Sequence, residues 1–160
     1  MPIDRITDSG RPVTDEDIAR VEARFGCTLP APYVAFLRQH NGGMPEPNEF
    51  VGIDPRDVAR VDFFFIIEGD DKMNLIEEAA FFREYHDVPK SLLPIARTPM
   101  GDIICIGIGQ KVYGAVFFWS HDHPVRDEAA RLLAHDLDEY FFEDADRSDW
   151  NMAVSAWEKK

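Results

Sequence analysis

Positive charge is scarce in this sequence: 17 Lys and Arg residues stand against 30 Asp and Glu residues, which gives a formal net charge of −13 at pH 7. Nucleic acids and anionic membrane surfaces are both bound through clustered cations. The composition therefore predicts neither as a direct partner. A basic protein is the better electrostatic match, because opposite net fields accelerate encounter. Solubility alone is an alternative reason for the same acidity.

Cysteine and long apolar runs are scarce as well. The two cysteines, Cys27 and Cys105, have no CxxC spacing, and we predict that they are small buried apolar residues. No apolar run approaches membrane-spanning length, and residues 1–12 lack the continuous hydrophobic stretch of a signal peptide. We therefore expect a cytoplasmic protein, whose 160 residues form a single domain.

The N-terminal part of the chain carries the pattern of two helices. Thr14 and Asp17 form a variant capping box, and Gly26 is placed to end the first helix. The inward face of this helix has apolar residues at helical spacing, namely Ile18, Val21 and Phe25. Pro32 suits the first turn of a second helix, which Asn41-Gly42-Gly43 would end. The pattern predicts an N-terminal helical hairpin.

The rest of the chain alternates short apolar segments with turns. After a proline-containing loop, strands are predicted at residues 63–67, 92–96, 103–108, 112–119 and 131–134, the last at a sheet edge. Short turns between successive strands require mostly antiparallel pairing. Further helices are predicted after Asn74 and Asp136 and from Trp150. We predict an α+β fold: an antiparallel or mixed sheet with the N-terminal helical hairpin and further helices packed around it.

Motifs that would carry chemistry are weak. His121-Asp122-His123 offers metal-ligand side chains, but no third ligand follows at a recognisable interval, so a polar strand exit is the simpler interpretation. The glycines after residue 106 do not match GxGxxG, and no serine lies in a GxSxG elbow. We predict no catalytic residues, no metal site and no cofactor. An enzyme that uses His121 and His123 is the catalytic alternative.

Acidic residues concentrate in two segments. Residues 46–71 contain eight acidic residues and two arginines, and residues 122–149 contain ten acidic residues and three arginines. Together these segments account for the whole net charge of the chain. A solvated surface is the simplest interpretation of each segment, and a binding surface is the alternative.

Several of these positions resemble, in combination, the signature of the SUKH superfamily of Smi/Knr-type domains. The opening part of the resemblance comprises Ile18, Glu22, Phe25-Gly26, Leu29-Pro30, Tyr33, Phe36-Leu37 and Asn41-Gly42-Gly43. Later parts follow in the family's order: Leu93-Pro94-Ile95-Ala96, Gly101-Asp102, Val116-Phe117-Phe118-Trp119 with His121, and residues 136–141. The resemblance covers approximately residues 14–143. It leaves residues 144–160 as a C-terminal extension, which we expect to be helical.

The resemblance implies a function without catalysis. In bacteria the family is dominated by immunity proteins that neutralise toxin domains, often nucleases, and its eukaryotic members include regulators of cell-wall synthesis. The implied partner is a basic toxin domain, and the alternative is a regulatory or scaffold module that binds an endogenous protein. Acidic residues beside the entrance to the predicted strand at 63–67 are the candidate partner contacts, because binding residues concentrate on loops: Glu46, Glu49, Asp70 and Asp71.

Overall fold

A computed structural model describes residues 2–68, 73–123 and 129–143 of the chain. These residues form an α+β fold, as predicted. The elements follow in the order β1 (Arg5–Thr7), α1 (Asp15–Phe25), α2 (Ala31–Gln39), β2 (Met44–Glu46), β3 (Glu49–Val51), β4 (Val58–Arg60), β5 (Phe63–Phe64), α3 (Leu75–Tyr85), β6 (Leu92–Arg97), β7 (Ile103–Gly107), β8 (Val116–Trp119), β9 (Ala130–Ala134) and α4 (Leu137–Phe141).

The helix ends follow the local chemistry of the sequence. The Thr14 side chain accepts a hydrogen bond from the Asp17 backbone, and the Asp17 carboxylate accepts one from the Thr14 backbone, which completes the predicted capping box. Gly26 ends α1 in the left-handed conformation, with φ of 64°. Asn74 and Asp136 cap α3 and α4 through their side chains. The predicted starts of these helices are therefore confirmed.

The central sheet has five antiparallel strands in the order β5-β6-β7-β8-β9. The predicted edge strand near residue 131 is confirmed as β9, and the prediction of a continuous strand over 112–119 was wrong. Residues 109–115 instead fold back over Gly107, whose missing Cβ would lie 1.9 Å from the Val112 carbonyl oxygen. Gly114 donates its backbone N–H to the Gly107 carbonyl and closes this turn.

Two small two-stranded sheets, of which only β3–β4 is a hairpin, occupy the segments that the sequence indicated were irregular. Strands β1 and β2 pair around Ile6 and Pro45, and β3 and β4 pair around Phe50 and Ala59. Each strand has three residues, which is too short to show a clear alternation of apolar and polar side chains. The prediction of a proline-containing loop was therefore wrong at Pro45, which lies in β2, whereas Pro47 and Pro55 lie outside the strands. Strand β5 is also shorter than predicted, because Ile66 leaves the sheet to form a parallel bridge with Asn74.

Aromatic side chains join the helices to the sheet. The rings of Phe36 on α2 and Phe64 on β5 lie 4.8 Å apart, and the ring of Phe141 on α4 lies 5.1 Å from Phe64. Phe50 of β3 lies 4.8 Å from the same Phe141 ring. One hydrophobic cluster thus holds the second helix, a small hairpin and the central sheet together. Within the described part of the chain, no helix combines the length and apolarity needed to cross a membrane.

The predicted C-terminal extension and the helix from Trp150 lie outside the described residues. The arrangement of the whole chain as a single domain remains a prediction.

Candidate protein-binding site

The Asn41-Gly42-Gly43 motif is used inside the fold. Asn41 is 3% exposed, and its side chain accepts from the Ile67 backbone N–H at 2.8 Å and donates to the Ile67 carbonyl at 3.0 Å and the Arg11 carbonyl at 2.9 Å. Gly42 has φ of +65°, and a Cβ there would lie 2.5 Å from the Phe65 carbonyl oxygen. This motif holds the end of α2 against the segment after β5, so its role is structural rather than in binding a partner.

Glu22 is another motif residue with a structural role. Its carboxylate accepts a hydrogen bond from the Leu29 backbone N–H at 2.7 Å and thereby holds the connection between α1 and α2. Tyr113 supports the same connection, because its hydroxyl donates to the Thr28 carbonyl at 2.9 Å. The binding residues must therefore be sought elsewhere on the surface.

The predicted contacts Glu46 and Glu49 lie in different two-stranded sheets, and each is paired with an arginine on the neighbouring strand. Arg5 Nε donates to Glu46 Oε2 at 3.1 Å, and Arg60 Nη2 donates to Glu49 Oε1 at 2.6 Å. Arg60 and Glu49 each expose 56% of their side chains. Each of these two carboxylates therefore has its own arginine partner. Asp70 and Asp71 lie outside the described residues, and their role remains a prediction.

A surface pocket of about 370 Å³ lies between the β3–β4 hairpin and the turn that joins β6 to β7. We call it the hairpin pocket, and define it by its lining residues Glu49, Val58, Ala59, Arg60, Thr98, Pro99, Met100, Asp102 and Phe118. Val58 is 54% exposed and Met100 is 81% exposed, so two large apolar side chains face solvent at this place. Of the predicted contacts that the structure describes, Glu49 alone belongs to the pocket.

Asp102 is fixed at the edge of the hairpin pocket by His121. Oδ1 of Asp102 accepts from the His121 backbone N–H at 3.0 Å and lies 2.6 Å from the ring Nδ1. The Asp102 side chain is 16% exposed. The sequence indicated that Asp102 is a turn residue, but its separation of 19 positions from His121 concealed the pair. Two sequence features could have indicated this contact: a Gly-Asp turn before β7 and a histidine after β8.

Among the described residues, these two and Asp122 also form a group that could hold a metal ion. One possible ligand atom from each lies within 4.8 Å of the others. However, the 2.6 Å between His121 Nδ1 and Asp102 Oδ1 is a hydrogen-bond distance. Two ligands at zinc-bond length on a tetrahedral ion are about 3.3 Å apart. Asp122 in turn accepts a hydrogen bond from the Ser120 hydroxyl at 2.8 Å. The geometry is therefore that of a hydrogen-bonded anchor.

The guanidinium of Arg131 lies on the surface next to the hairpin pocket. Arg131 donates to both carboxylate oxygens of Asp57, at 2.9 Å and 2.7 Å, and its guanidinium carbon lies 4.4 Å from the centroid of the Phe118 ring. Phe118 also lines the hairpin pocket. A second depression of about 450 Å³, lined by Asp54, Arg56, Asp57 and Arg131, adjoins this stack. Aromatic and acidic groups thus combine along this face.

Neither cysteine has the environment of a nucleophile. Burial raises the pKa of Cys105, which is fully buried, and burial together with the nearby Glu22 carboxylate raises the pKa of Cys27. A raised pKa keeps a thiol protonated and unreactive at neutral pH. The predicted burial is confirmed for Cys105, whereas Cys27 is half-buried.

The chain has relatives among known proteins. It is 24% identical over 143 residues to the SPbeta prophage-derived uncharacterized protein YokK of Bacillus subtilis (strain 168), and the alignment covers 81% of this chain and 73% of that protein. The model of the SMI1 / KNR4 family (SUKH-1) matches residues 12–143, which include all the described helices and every strand from β2 onward. The resemblance drawn from the sequence is confirmed, and this chain belongs to the SMI1 / KNR4 family (SUKH-1).

Proposed function

We propose that this chain is an immunity protein that binds a basic toxin domain and blocks its active site without catalysing a reaction. Family membership over residues 12–143 is the observation that carries the proposal. The family is generally a non-enzymatic immunity or regulatory domain and is associated with protein–protein interaction. The prophage origin of the Bacillus subtilis relative is compatible with a gene that moves between competing strains.

The charge of the chain supports a basic partner. Nuclease toxins present cationic surfaces to phosphate, and a protein with a net charge of −13 can compete for those surfaces. Opposite charge also accelerates encounter, which benefits an inhibitor that must act before the toxin does. We expect the association rate to fall as ionic strength rises, because salt screens this attraction.

The adjacent genes should be searched for a toxin domain, and protection and binding should be measured with any that is found. Co-expression is expected to restore the growth of cells that produce the toxin, and the purified proteins are expected to form a stoichiometric complex by calorimetry. The toxin released from the complex should have unchanged mass and recover its activity, because an inhibitor that only binds leaves no covalent mark. A chemically altered toxin would contradict the non-enzymatic part of the proposal.

The same complex tests the predicted contacts. Reversal of charge at Asp70 and Asp71 together is expected to weaken toxin binding, and Glu46→Lys and Glu49→Lys should be compared in parallel. Unchanged affinity would remove a residue from the interface. If no neighbouring toxin binds, but an endogenous protein is captured specifically, a regulatory or scaffold role would replace immunity.

A further inference from the structure

We infer that the hairpin pocket receives an arginine side chain of the basic partner, and this inference rests on the proposed function. The partner's methylene stem would lie against Val58 and Met100, and its guanidinium would reach the carboxylates of Glu49 and Asp102. A guanidinium is less strongly hydrated than an ammonium, so its transfer into a pocket with apolar walls costs less than that of lysine.

The apolar walls favour a ligand that covers them. Val58 is 54% exposed and Met100 is 81% exposed, although they come from different parts of the chain. Both line the same pocket as the Phe118 ring. Exposed apolar groups that share one concave site mark a binding surface more strongly than scattered ones. Contact with the stem of a long side chain would remove this apolar area from water.

The two carboxylates retain acceptor atoms for the guanidinium. Both hydrogen bonds between His121 and Asp102 use the Asp102 Oδ1 atom. Arg60 contacts the Oε1 atom of Glu49. Among the described residues, this leaves Asp102 Oδ2 and Glu49 Oε2 as further acceptors. The exposed Arg60–Glu49 pair contributes little to stability, so an incoming guanidinium can take the place of Arg60 on Glu49 at little cost.

The adjoining surface shows the same recognition within the chain. Arg131 is held in a bidentate contact by Asp57 and stacks on the Phe118 ring. An acidic group and an aromatic wall thus already select a guanidinium on one side of Phe118. The hairpin pocket offers the same two kinds of group, and the net charge of −13 favours delivery of a cation to it.

Short peptide probes test the pocket without the toxin. The ¹H–¹⁵N spectrum of the full chain should be titrated with acetyl-Gly-Arg-Gly-amide and with peptides that carry lysine, norleucine or citrulline instead. The arginine peptide is expected to shift the backbone signals of Ala59, Met100 and Phe118. The citrulline peptide, which has the same shape without the charge, should bind at least about fivefold more weakly. No localised shift at about 50 mM arginine peptide, or an equal response to citrulline, would overturn the inference.

Matched variants test whether peptide binding depends on the pocket or only on the acidic charge of the chain. Met100→Ser and Glu49→Gln are expected to weaken binding of the arginine peptide about threefold or more, because each removes one recognition group. Met44→Ser and Asp15→Asn are the controls, since Met44 is 40% exposed and Asp15 is likewise paired with an arginine, but neither lines the pocket. Spectra of the free variants establish that each remains folded. Equal losses of arginine-peptide affinity in the control variants would contradict binding at the pocket.

The two proposals can fail separately. A toxin that binds wild type and the Met100→Ser and Glu49→Gln variants equally would leave the proposed function in place and overturn the pocket. Arginine-peptide binding at the pocket without any toxin binding would support the pocket and overturn the proposed function. A response to lysine stronger than to arginine would overturn the choice of arginine.

Discussion

The imidazole Nδ1 of His121 lies 2.6 Å from Oδ1 of Asp102, and the His121 backbone N–H donates to the same oxygen at 3.0 Å. A carboxylate oxygen accepts hydrogen bonds, so this contact is satisfied by the tautomer in which Nδ1 carries the proton. The pair ties the turn before β7 to the end of β8. It thereby fixes the turn that carries Met100, at the edge of the hairpin pocket.

Loss of the His121 ring should therefore loosen this turn. His121→Ala is expected to lower the free energy of unfolding by about 1–2 kcal/mol, because it removes a hydrogen bond to a charged acceptor. His121→Asn places a side-chain amide near the position of Nδ1 and should recover part of that loss. Urea denaturation measures both variants. If alanine and asparagine are equally destabilising, the ring packs at this position without contributing through its hydrogen bond.

A second prediction concerns Asp17, whose side chain is 4% exposed and accepts two hydrogen bonds from Arg11, at 2.7 Å and 2.8 Å. Arg11 holds the pKa of Asp17 well below its ordinary value of 3.8, with help from Thr14 and against the effect of burial. A group with a lowered folded pKa stabilises the fold at every pH above its unfolded pKa. That contribution is lost as the pH falls below the unfolded value toward the folded one.

Asp17→Asn is accordingly expected to lower the free energy of unfolding by about 2 kcal/mol at pH 7. The difference from wild type should narrow as the pH falls below about 4, where the unfolded wild type becomes protonated. Denaturation at a series of pH values measures this. Asp15→Asn is the matched control in the same helical turn, because Asp15 pairs with Arg38 but is 87% exposed. A pH-independent difference at Asp17 would show that its charge contributes nothing.

A third prediction compares two glycines with the same backbone conformation. Gly42 and Gly26 have φ of +65° and +64°, but a Cβ at Gly42 would meet the carbonyl oxygens of Phe65 and Phe64 at 2.5 Å and 2.6 Å, whereas nothing lies within 4 Å at Gly26. Gly26→Ala should cost about 1 kcal/mol, from conformation alone. Gly42→Ala should cost at least about 2 kcal/mol more, because the backbone must move. Thermal denaturation of the two variants tests the difference.

The sequence predicted elements whose signals are local. The capping box at Thr14 and the helix end at Gly26 depend on residues a few positions apart, and both are present in the structure. The strand predicted over 112–119 failed because its first half folds back over Gly107, which is a tertiary contact. The two-stranded sheets of three-residue strands, such as the one around Pro45, are stabilised by pairing between distant parts of the chain rather than by a local apolar pattern.

The candidate site was less predictable for the same reason. Glu49 was expected to be a binding residue because it belongs to an acidic segment, but the sequence did not show that Arg60 pairs with it. Nor did it show that Val58 and Met100 meet at one pocket. Such relationships arise when a hairpin lies against a turn that is 40 residues away in the chain. Charge along the sequence is therefore a poor guide to charge on the surface.

The final prediction concerns metal. The sequence showed two histidines without a third ligand, and the structure supplies Asp102 beside His121 and Asp122. We expect no stoichiometric zinc on these three side chains together, because an ion held by both His121 Nδ1 and Asp102 would replace the proton between them and would require the two ligand atoms to separate from 2.6 Å to about 3.3 Å. The chain should be dialysed with zinc, washed and measured by inductively coupled plasma mass spectrometry, alongside Asp102→Asn and Asp122→Asn. One tightly held zinc per wild-type chain that is absent from both variants would contradict the hydrogen-bonded anchor and revive the metal-dependent alternative.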